Sequence, residues 1–233
     1  MTFILAFLAL VGRTSVALGL GLVRRSFACS VLGRRFSRFS FRGRDSDPFA
    51  APERITVAQA FRRYANIELP ATLDDRDALA AAARQQGIRV ADDDTWADIF
   101  SGVLVARIEP QLGIGRATVL DEYPVSEAAL ARPTAHDPRF AERFELYVCG
   151  VEIANAFGEL TDPAEQRRRF ESEMAEKQRV HGERYPVDED FLSALGRMPP
   201  ASGIALGFDR LVMLATGASR IEQVLWTPVA EPQ

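Results

Sequence analysis

Residues 144–160, FELYVCGVEIANAFGEL, are the stretch from which the predicted fold is built. Residues 144–148 and 151–157 each predict a β-strand, because apolar, β-branched and aromatic side chains fill most of their positions. Only Cys149 and Gly150 separate the two runs, and a two-residue connection is typical of a tight antiparallel hairpin. The segment therefore predicts two neighbouring strands of an antiparallel sheet.

A second informative stretch, residues 203–217, reads GIALGFDRLVMLATG. It predicts a short apolar strand, a turn at Gly207 and an apolar helix that begins at Asp209 and Arg210. Backbone N–H groups and a guanidinium at a helix N-terminus favour anions. On spacing alone the structural alternative is favoured, in which strand and helix belong to the core, Asp209 is the N-cap and Arg210 is solvated.

Helices are predicted on both sides of the hairpin. Thr56 and Gln59 form a capping-box pattern ahead of apolar residues at helical spacing. Further helices are predicted at residues 74–86, 93–108, 162–179 and 188–195, a strand at residues 116–123, and a bulge near residues 156–158. Residues 219–226 complete the predicted core.

The composition limits the classes of function. The chain has 233 residues, of which 47% are hydrophobic, enough for one sizeable core or two small domains. Its net charge of −4 provides no overall basic field for nucleic acid. The two cysteines form no disulfide framework and suit a reducing compartment, so a cytoplasmic location is expected.

The first part of the chain differs in character from the rest. Residues 1–44 contain eight arginines and no acidic residue, and Arg13 divides two apolar runs at residues 3–12 and 16–23. Each run is shorter than the ~20 residues that a membrane-spanning helix needs. A signal peptide would carry positive charge ahead of its apolar run, and no positively charged side chain precedes the first run here. We expect a stretch that is foreign to the domain; a transit peptide is the open alternative.

Acidic residues in the predicted hairpin indicate a site. Glu152 and Glu159 lie in a strand that should be partly buried, where unpaired carboxylates are unfavourable, so a cation or a metal ion should meet them. Seven residues apart, they would face opposite sides of a regular strand, and the bulge near residues 156–158 would bring them to one side. We expect both acids to converge with Arg210 on one pocket, and this combination indicates a polyphosphate with Mg²⁺. Solvated acids on an exposed strand are the alternative.

Two segments carry a resemblance to a known family. Residues 143–170, RFELYVCGVEIANAFGELTDPAEQRRRF, and residues 202–228, SGIALGFDRLVMLATGASRIEQVLWTP, resemble the C-terminal half of class II lysyl-tRNA synthetase catalytic domains. The resemblance is closer to the paralogues that attach (R)-β-lysine to elongation factor P. It implies an α+β fold, a class II synthetase-like antiparallel sheet flanked by helices and incomplete at the N-terminus. Residues 39–233 would be its C-terminal part, and residues 1–38 a non-homologous, poorly ordered segment.

The resemblance implies roles in ATP binding. GIALGFDR resembles the third motif of class II synthetases, whose arginine contacts the ATP γ-phosphate, and this catalytic role falls on Arg210. Glu152 matches the catalytic acid that holds Mg²⁺ and ATP, with Ile153 beside it. Gly207 lies where the family packs adenine or ribose against the backbone.

It also implies roles in amino-acid binding. Glu159 matches the acid that meets the amino group of lysine and is the second candidate Mg²⁺ ligand, and Asn155 matches the polar neighbour of the substrate carboxylate. Ala205 replaces a glycine usual in lysyl-tRNA synthetases, which is typical of the elongation factor P ligases and consistent with a β-amino substrate. Ala156 and Gly158 depart from the glycine and the histidine or serine usual in the family, which leaves the fine shape of the pocket open.

The implied reaction is ATP-dependent activation of lysine or (R)-β-lysine, followed by transfer to a lysine of elongation factor P. The dimer-forming first motif and the second motif, whose arginine holds the α-phosphate, are not recognisable; residues 41–49 resemble the second motif only superficially. We therefore expect impaired activity. The short apolar runs argue against membrane association, and tRNA is not expected as a partner because no anticodon-binding domain is visible. The family is homodimeric, but its first motif is absent here. The alternatives are a lysine–tRNA ligase, which needs an anticodon-binding domain that this length cannot house, and a catalytically inactive paralogue with a binding or regulatory role.

Overall fold

The computed structural model describes residues 38–227, so the predictions for residues 1–37 lie outside the described part of the chain. The strands within this range are β1 Phe39–Phe41, β2 Arg44–Asp47, β3 Glu53–Thr56, β4 Gly115–Arg116, β5 Thr118–Pro124, β6 Phe140–Val148, β7 Val151–Gly158 and β8 Ser202–Leu206. The α-helices are α1 Val57–Ala60, α2 Arg76–Gln85, α3 Trp96–Val103, α4 Pro163–His181, α5 Glu189–Leu195 and α6 Phe208–Thr216. Wider π-helical turns extend α1 over Phe61–Ala65 and α3 over Leu104–Ile108.

A five-stranded sheet forms the centre of the fold, in the order β3-β5-β6-β7-β8. The β3–β5 pair is parallel, and every other pair in this sheet is antiparallel. A smaller sheet, β1-β2-β4, lies beside it. The predicted α+β class with an antiparallel-dominated sheet is therefore confirmed.

The hairpin predicted from residues 144–160 is present, and its first strand begins four residues earlier than expected. Cys149 (φ 55°) and Gly150 (φ 77°) both have left-handed backbone conformations, as a two-residue turn between twisted strands requires. Their N–H groups donate to the carbonyls of Gly113 and Leu112, each at 2.8 Å. These bonds join the hairpin turn to the loop ahead of β4.

The hairpin contains a bulge, but not where the sequence predicted one. Asn155 and the residues up to Phe157 pair regularly with β6, so the expected bulge near residues 156–158 is wrong. The register instead shifts between Ala154 and Glu152, which leaves Ile153 as the extra residue of β7. One extra residue reverses the alternation of side chains beyond it. Glu152 therefore shares a sheet face with Asn155 and Glu159.

The helices form where their capping residues indicate. Thr56 and Gln59 make the predicted capping box, and Asp162 caps α4 through the N–H groups of Ala164 and Glu165. The helix predicted at residues 93–108 begins later, after Thr95, which forms its own capping box. Within residues 38–227, none of the helices combines the length and hydropathy that crossing a membrane requires.

Helices α1–α3 cover one face of the sheet only on its β3–β5 side. Phe100 stacks against Phe61 at 5.0 Å and against Trp96 at 5.2 Å, and this layer buries Leu120 and Tyr123. On the opposite face, α6 packs on Ile153 and Phe39 through Leu214. The β7–β8 side of the first face stays open, and the candidate site lies there.

Candidate active site

The open face of β6, β7 and β8 carries the side chains expected to act together. Directly paired residues of antiparallel strands present their side chains on the same face. Glu145, Asn155 and Ala205 form one such row across the three strands, and Arg143, Phe157 and Gly203 form the next. Glu152 pairs with Tyr147 and begins the face at the hairpin end.

Arg210 and Glu152 meet at this hairpin end. Arg210 Nη1 donates to Glu152 Oε2 and to the Glu152 carbonyl, both at 3.0 Å. Gly207 precedes α6, and no side chain of residues 38–227 caps its first turn. Phe208 to Arg210 are exposed, so the first N–H groups of the helix are available to an anion. Of the structural alternative, the assignment of Asp209 as N-cap is wrong, because Gly207 takes that position, whereas Arg210 remains about half exposed, with 46% of its side chain accessible.

Gly207 and Ile153 contribute to this end through their backbones. The Gly207 N–H donates to the Ile153 carbonyl at 2.9 Å, while the Ile153 side chain is buried on the opposite face. A Cβ on Gly207 would lie 3.4 Å from Cδ of Arg210. The Arg210 side chain therefore runs over the strand-to-helix turn at a distance where an alanine would make an ordinary contact.

Glu159 lies at the other end of the face, against Gly203. A Cβ on Gly203 would lie only 2.7 Å from Oε1 of Glu159, so this glycine makes the space for the carboxylate. Partial burial raises the pKa of Glu159, and the nearby Arg132 acts in the opposite direction. A partly desolvated carboxylate of this kind suits a cationic partner from the ligand.

The two candidate acids share a face but not a metal ion. Glu152 and Glu159 are separated by about 20 Å of strand, because each residue advances a strand by about 3.3 Å. Magnesium ligands lie about 2.1 Å from the ion, so one ion cannot bind both carboxylates. Across residues 38–227, moreover, no cluster of three or more acidic, histidine or cysteine side chains forms a metal site. The expectation that these acids and Arg210 converge on a single pocket is corrected to a face with two ends.

Sequence reasoning missed Glu145, the buried carboxylate at the centre of the face. Its Oε2 accepts from the hydroxyls of Tyr123 at 2.5 Å and Tyr147 at 2.7 Å, and its Oε1 pairs with Arg143 at 2.6 Å. Burial, and then the charge of Glu145, raise the pKa of both tyrosines, which therefore remain donors. The sequence did contain a pattern that indicates a polar strand face, namely polar residues at the alternate positions 143, 145 and 147.

Glu109 is a second residue that the sequence did not indicate. It lies in a 3₁₀ turn, Glu109–Gln111, and its Oε1 is 3.3 Å from the Tyr147 hydroxyl. Burial raises the pKa of Glu109, and the charges of Glu145 and Glu152 raise it further. Glu109 therefore lies with Glu152 at the end that holds Arg210.

Comparison with known proteins identifies the family. The sequence profile of the tRNA synthetases class II (D, K and N) matches residues 44–231. The chain belongs to the class II tRNA synthetases. Membership confirms the resemblance seen in residues 143–170 and 202–228 and makes a ligase the enzyme class of the family.

The relatives of this synthetase domain fall into two groups. Elongation factor P–(R)-β-lysine ligases of Proteus mirabilis and Hamiltonella defensa are 41% and 40% identical to it, over 77% and 76% of this chain and 55% of each relative. The lysine–tRNA ligase of Staphylococcus saprophyticus is 38% identical over 76% of this chain and 35% of the relative. The chain thus spans about half the length of the ligases it matches first.

The two departures from the synthetase pattern lie away from the open face. Ala156 pairs with Phe144, on the opposite face from Asn155, and is fully buried. A Cβ on Gly158 would lie 2.5 Å from Oε2 of Glu142, which is paired with Arg132. Both small residues therefore face the back of the sheet, on the opposite side from Asn155.

Proposed function

We propose that this domain activates lysine or (R)-β-lysine with ATP and transfers the activated amino acid to a lysine of elongation factor P. The observation that carries the proposal is the division of one open sheet face into two ends. Arg210 with Glu152 provides a paired cation and acid at one end. Glu159 above Gly203 provides a partly desolvated carboxylate at the other.

The first end suits ATP with Mg²⁺. Arg210 would bind the γ-phosphate with the exposed first turn of α6, and the backbone at Gly207 and Ile153 would lie along adenine or ribose. Glu152 would hold Mg²⁺, and its partly exposed carboxylate fits an ion that takes one or two carboxylates besides phosphates and water. A bound ion would neutralise charge on the phosphates.

The second end suits an amino acid with a distal ammonium group. Glu159 would accept that group, Asn155 would contact the carboxylate, and Ala205 would shape the pocket next to Asn155. A carboxylate oxygen of the amino acid would attack the α-phosphorus, and pyrophosphate would leave. The amine of the acceptor lysine would then attack the acyl carbon of the adenylate, and AMP would leave.

Elongation factor P is the acceptor that the comparisons favour. The first three relatives are named elongation factor P–(R)-β-lysine ligases and are 40–41% identical to this chain, and two lysine–tRNA ligases are 38% and 39% identical. Ala205, at the position that distinguishes the two groups, supports the same choice. Because the acceptor is a translation factor, we place the reaction in the cytoplasm.

We further propose that the 233-residue chain by itself forms the adenylate far more slowly than its relatives. Arg210 reaches the γ end of ATP, and Arg143, the arginine at the centre of the face, is engaged by Glu145. Neither arginine is therefore placed to hold the α-phosphate, where charge develops in the transition state. Loss of one preorganised group that stabilises such charge lowers a rate by about 10²–10³-fold. ATP·Mg²⁺ binding through Glu152 and Arg210 would persist.

Two measurements test the proposal. Calorimetric titration with ATP·Mg²⁺ should show binding that weakens ten- to a hundredfold in Arg210→Ala and stays unchanged in Arg220→Ala, a matched arginine outside the site. Equal binding by both variants would contradict the assignment of the ATP end.

The second measurement is ATP–pyrophosphate exchange dependent on lysine or (R)-β-lysine. We expect exchange only after N-terminal extension with the first and second motifs of a relative, followed by label transfer to elongation factor P. Robust exchange by the unextended chain would contradict the slow-rate proposal, and transfer to tRNA instead would favour the tRNA ligase. ATP binding without exchange in either form would favour the inactive paralogue.

A further inference from the structure

Arg143 occupies the middle of the open face, between its two ends. The guanidinium lies over the Tyr123 ring, 4.2 Å from the ring centroid, and only 18% of the side chain is exposed. Nη2 donates to Glu145 Oε1 at 2.6 Å, Nη1 donates to the Glu127 carbonyl, and Nε approaches Asn155 Oδ1 at 3.4 Å. Arg143 is therefore held from three directions, one of which leads to Asn155.

The contact with Asn155 determines which way the amide points. A guanidinium has only donors, so the atom of Asn155 that faces Arg143 must be the carbonyl oxygen. The NH₂ group then points away from Arg143. Within residues 38–227 this NH₂ group donates to no protein acceptor, since the only hydrogen bond of the side chain is the one from Arg143. Ala205, the cross-strand partner of Asn155, is exposed, so the face is open at this position.

We propose that Arg143 is a positioning residue for the amino-acid substrate: anchored by Glu145 and Glu127, it orients Asn155 so that the amide NH₂ is presented to the substrate carboxylate. The inference rests on the proposed function and deepens it. The Asn155 NH₂ group would recognise the substrate carboxylate, and the contact between Arg143 and the Asn155 carbonyl oxygen would set the direction of that NH₂ group. Without that anchor the amide could rotate and present its oxygen, which would repel a carboxylate.

The test compares Arg143→Lys with Arg139→Met. A lysine retains the positive charge beside Glu145 but lacks the planar fork that reaches Asn155 and the Glu127 carbonyl together. Arg139 is a matched control, because it also pairs with an acid and lies over an aromatic ring, outside the site. Calorimetry should show lysine binding about tenfold weaker in Arg143→Lys, the effect of one hydrogen bond to a charged group, with ATP·Mg²⁺ binding within about threefold. Arg139→Met should change neither.

A measurement without ligand separates this inference from the proposed function. In ¹⁵N-labelled protein, Asn155→Ala should shift the Arg143 Nε–H resonance, and Arg143→Lys should shift the Asn155 NH₂ resonances. If the unaltered chain bound neither lysine nor ATP·Mg²⁺, both the proposed function and the role of Arg143 in substrate binding would be overturned. Two results would overturn the role of Arg143 alone. In the first, the unaltered chain binds both ligands and Arg143→Lys binds lysine with the same affinity. In the second, the resonances do not move in either variant.

Discussion

Replacing Gly203 with alanine tests the amino-acid end with one methyl group. The new Cβ would lie 2.7 Å from Oε1 of Glu159, and ordinary contacts begin near 3.4 Å, so the carboxylate must withdraw by about 0.7 Å. Glu159 sits at the end of a flexible side chain, so the protein can still fold. The backbone of Gly203 is not left-handed, so alanine introduces no conformational strain there.

The displacement should weaken lysine binding and leave ATP binding intact. A hydrogen bond between charged groups contributes about 1.5–3 kcal/mol, so its loss raises the dissociation constant of lysine about ten- to a hundredfold. The dissociation constant of ATP·Mg²⁺ should stay within about threefold, because Arg210 and Glu152 lie at the other end of the face. Unfolding in urea should show a stability within about 1 kcal/mol of the unaltered chain.

Gly207→Ala is the matched control for this substitution. Its Cβ would lie 3.4 Å from Cδ of Arg210, an ordinary contact, so lysine binding should be unchanged. Isothermal titration calorimetry with lysine and with ATP·Mg²⁺ measures both ends in each variant. Unchanged lysine affinity in Gly203→Ala, or an equal loss at both ends, would refute the division of the face.

Two further predictions concern stability. Gly113→Ala should lower the free energy of unfolding by at least about 2 kcal/mol, because its Cβ would lie 2.6 Å from the Tyr147 carbonyl oxygen at a left-handed φ of 71°. Gly115 also has a left-handed backbone, but no atom lies within 4 Å of the position of its Cβ, so Gly115→Ala should lower the free energy of unfolding by only about 1 kcal/mol. Equal losses for the two variants in urea unfolding would argue against a backbone clash at Gly113. Burial raises the pKa of Glu127, whose Oε1 finds no hydrogen-bond partner among residues 38–227. The folded state therefore holds this proton to higher pH than the unfolded state does, and stability falls as pH rises above the ordinary glutamate pKa of 4.5. Glu127→Gln should thus stabilise the chain by about 1 kcal/mol at pH 7 and not at pH 3.5, as thermal unfolding at both values would show; a difference that does not depend on pH would contradict it.

Several features of this protein could be predicted from consecutive residues. The hairpin at residues 144–160 follows from two apolar runs around a two-residue turn, because such a turn needs left-handed backbone at both positions and leaves the flanking runs antiparallel. The starts of α1 and α4 follow from Thr56 and Asp162, whose side chains bond N–H groups only two or three residues away. The candidate residues of the two ends could be assigned from the family resemblance because its motifs are short segments of consecutive residues. Interactions of this range are encoded locally.

The tertiary structure decided how those residues are arranged. The bulge at Ile153, which brings Glu152 to the face of Asn155 and Glu159, depends on the register of β7 against β6, and neither strand specifies that register alone. Glu145 became central only because Tyr123, from another strand, reaches it. Glu109 joined the end that holds Arg210 through a turn 43 residues before Glu152 in the chain. Distances between residues far apart in sequence depend on packing, which alternation and spacing do not encode. For that reason the sequence supplied candidate residues for the site, and the folded sheet determined that they lie at two ends of one face.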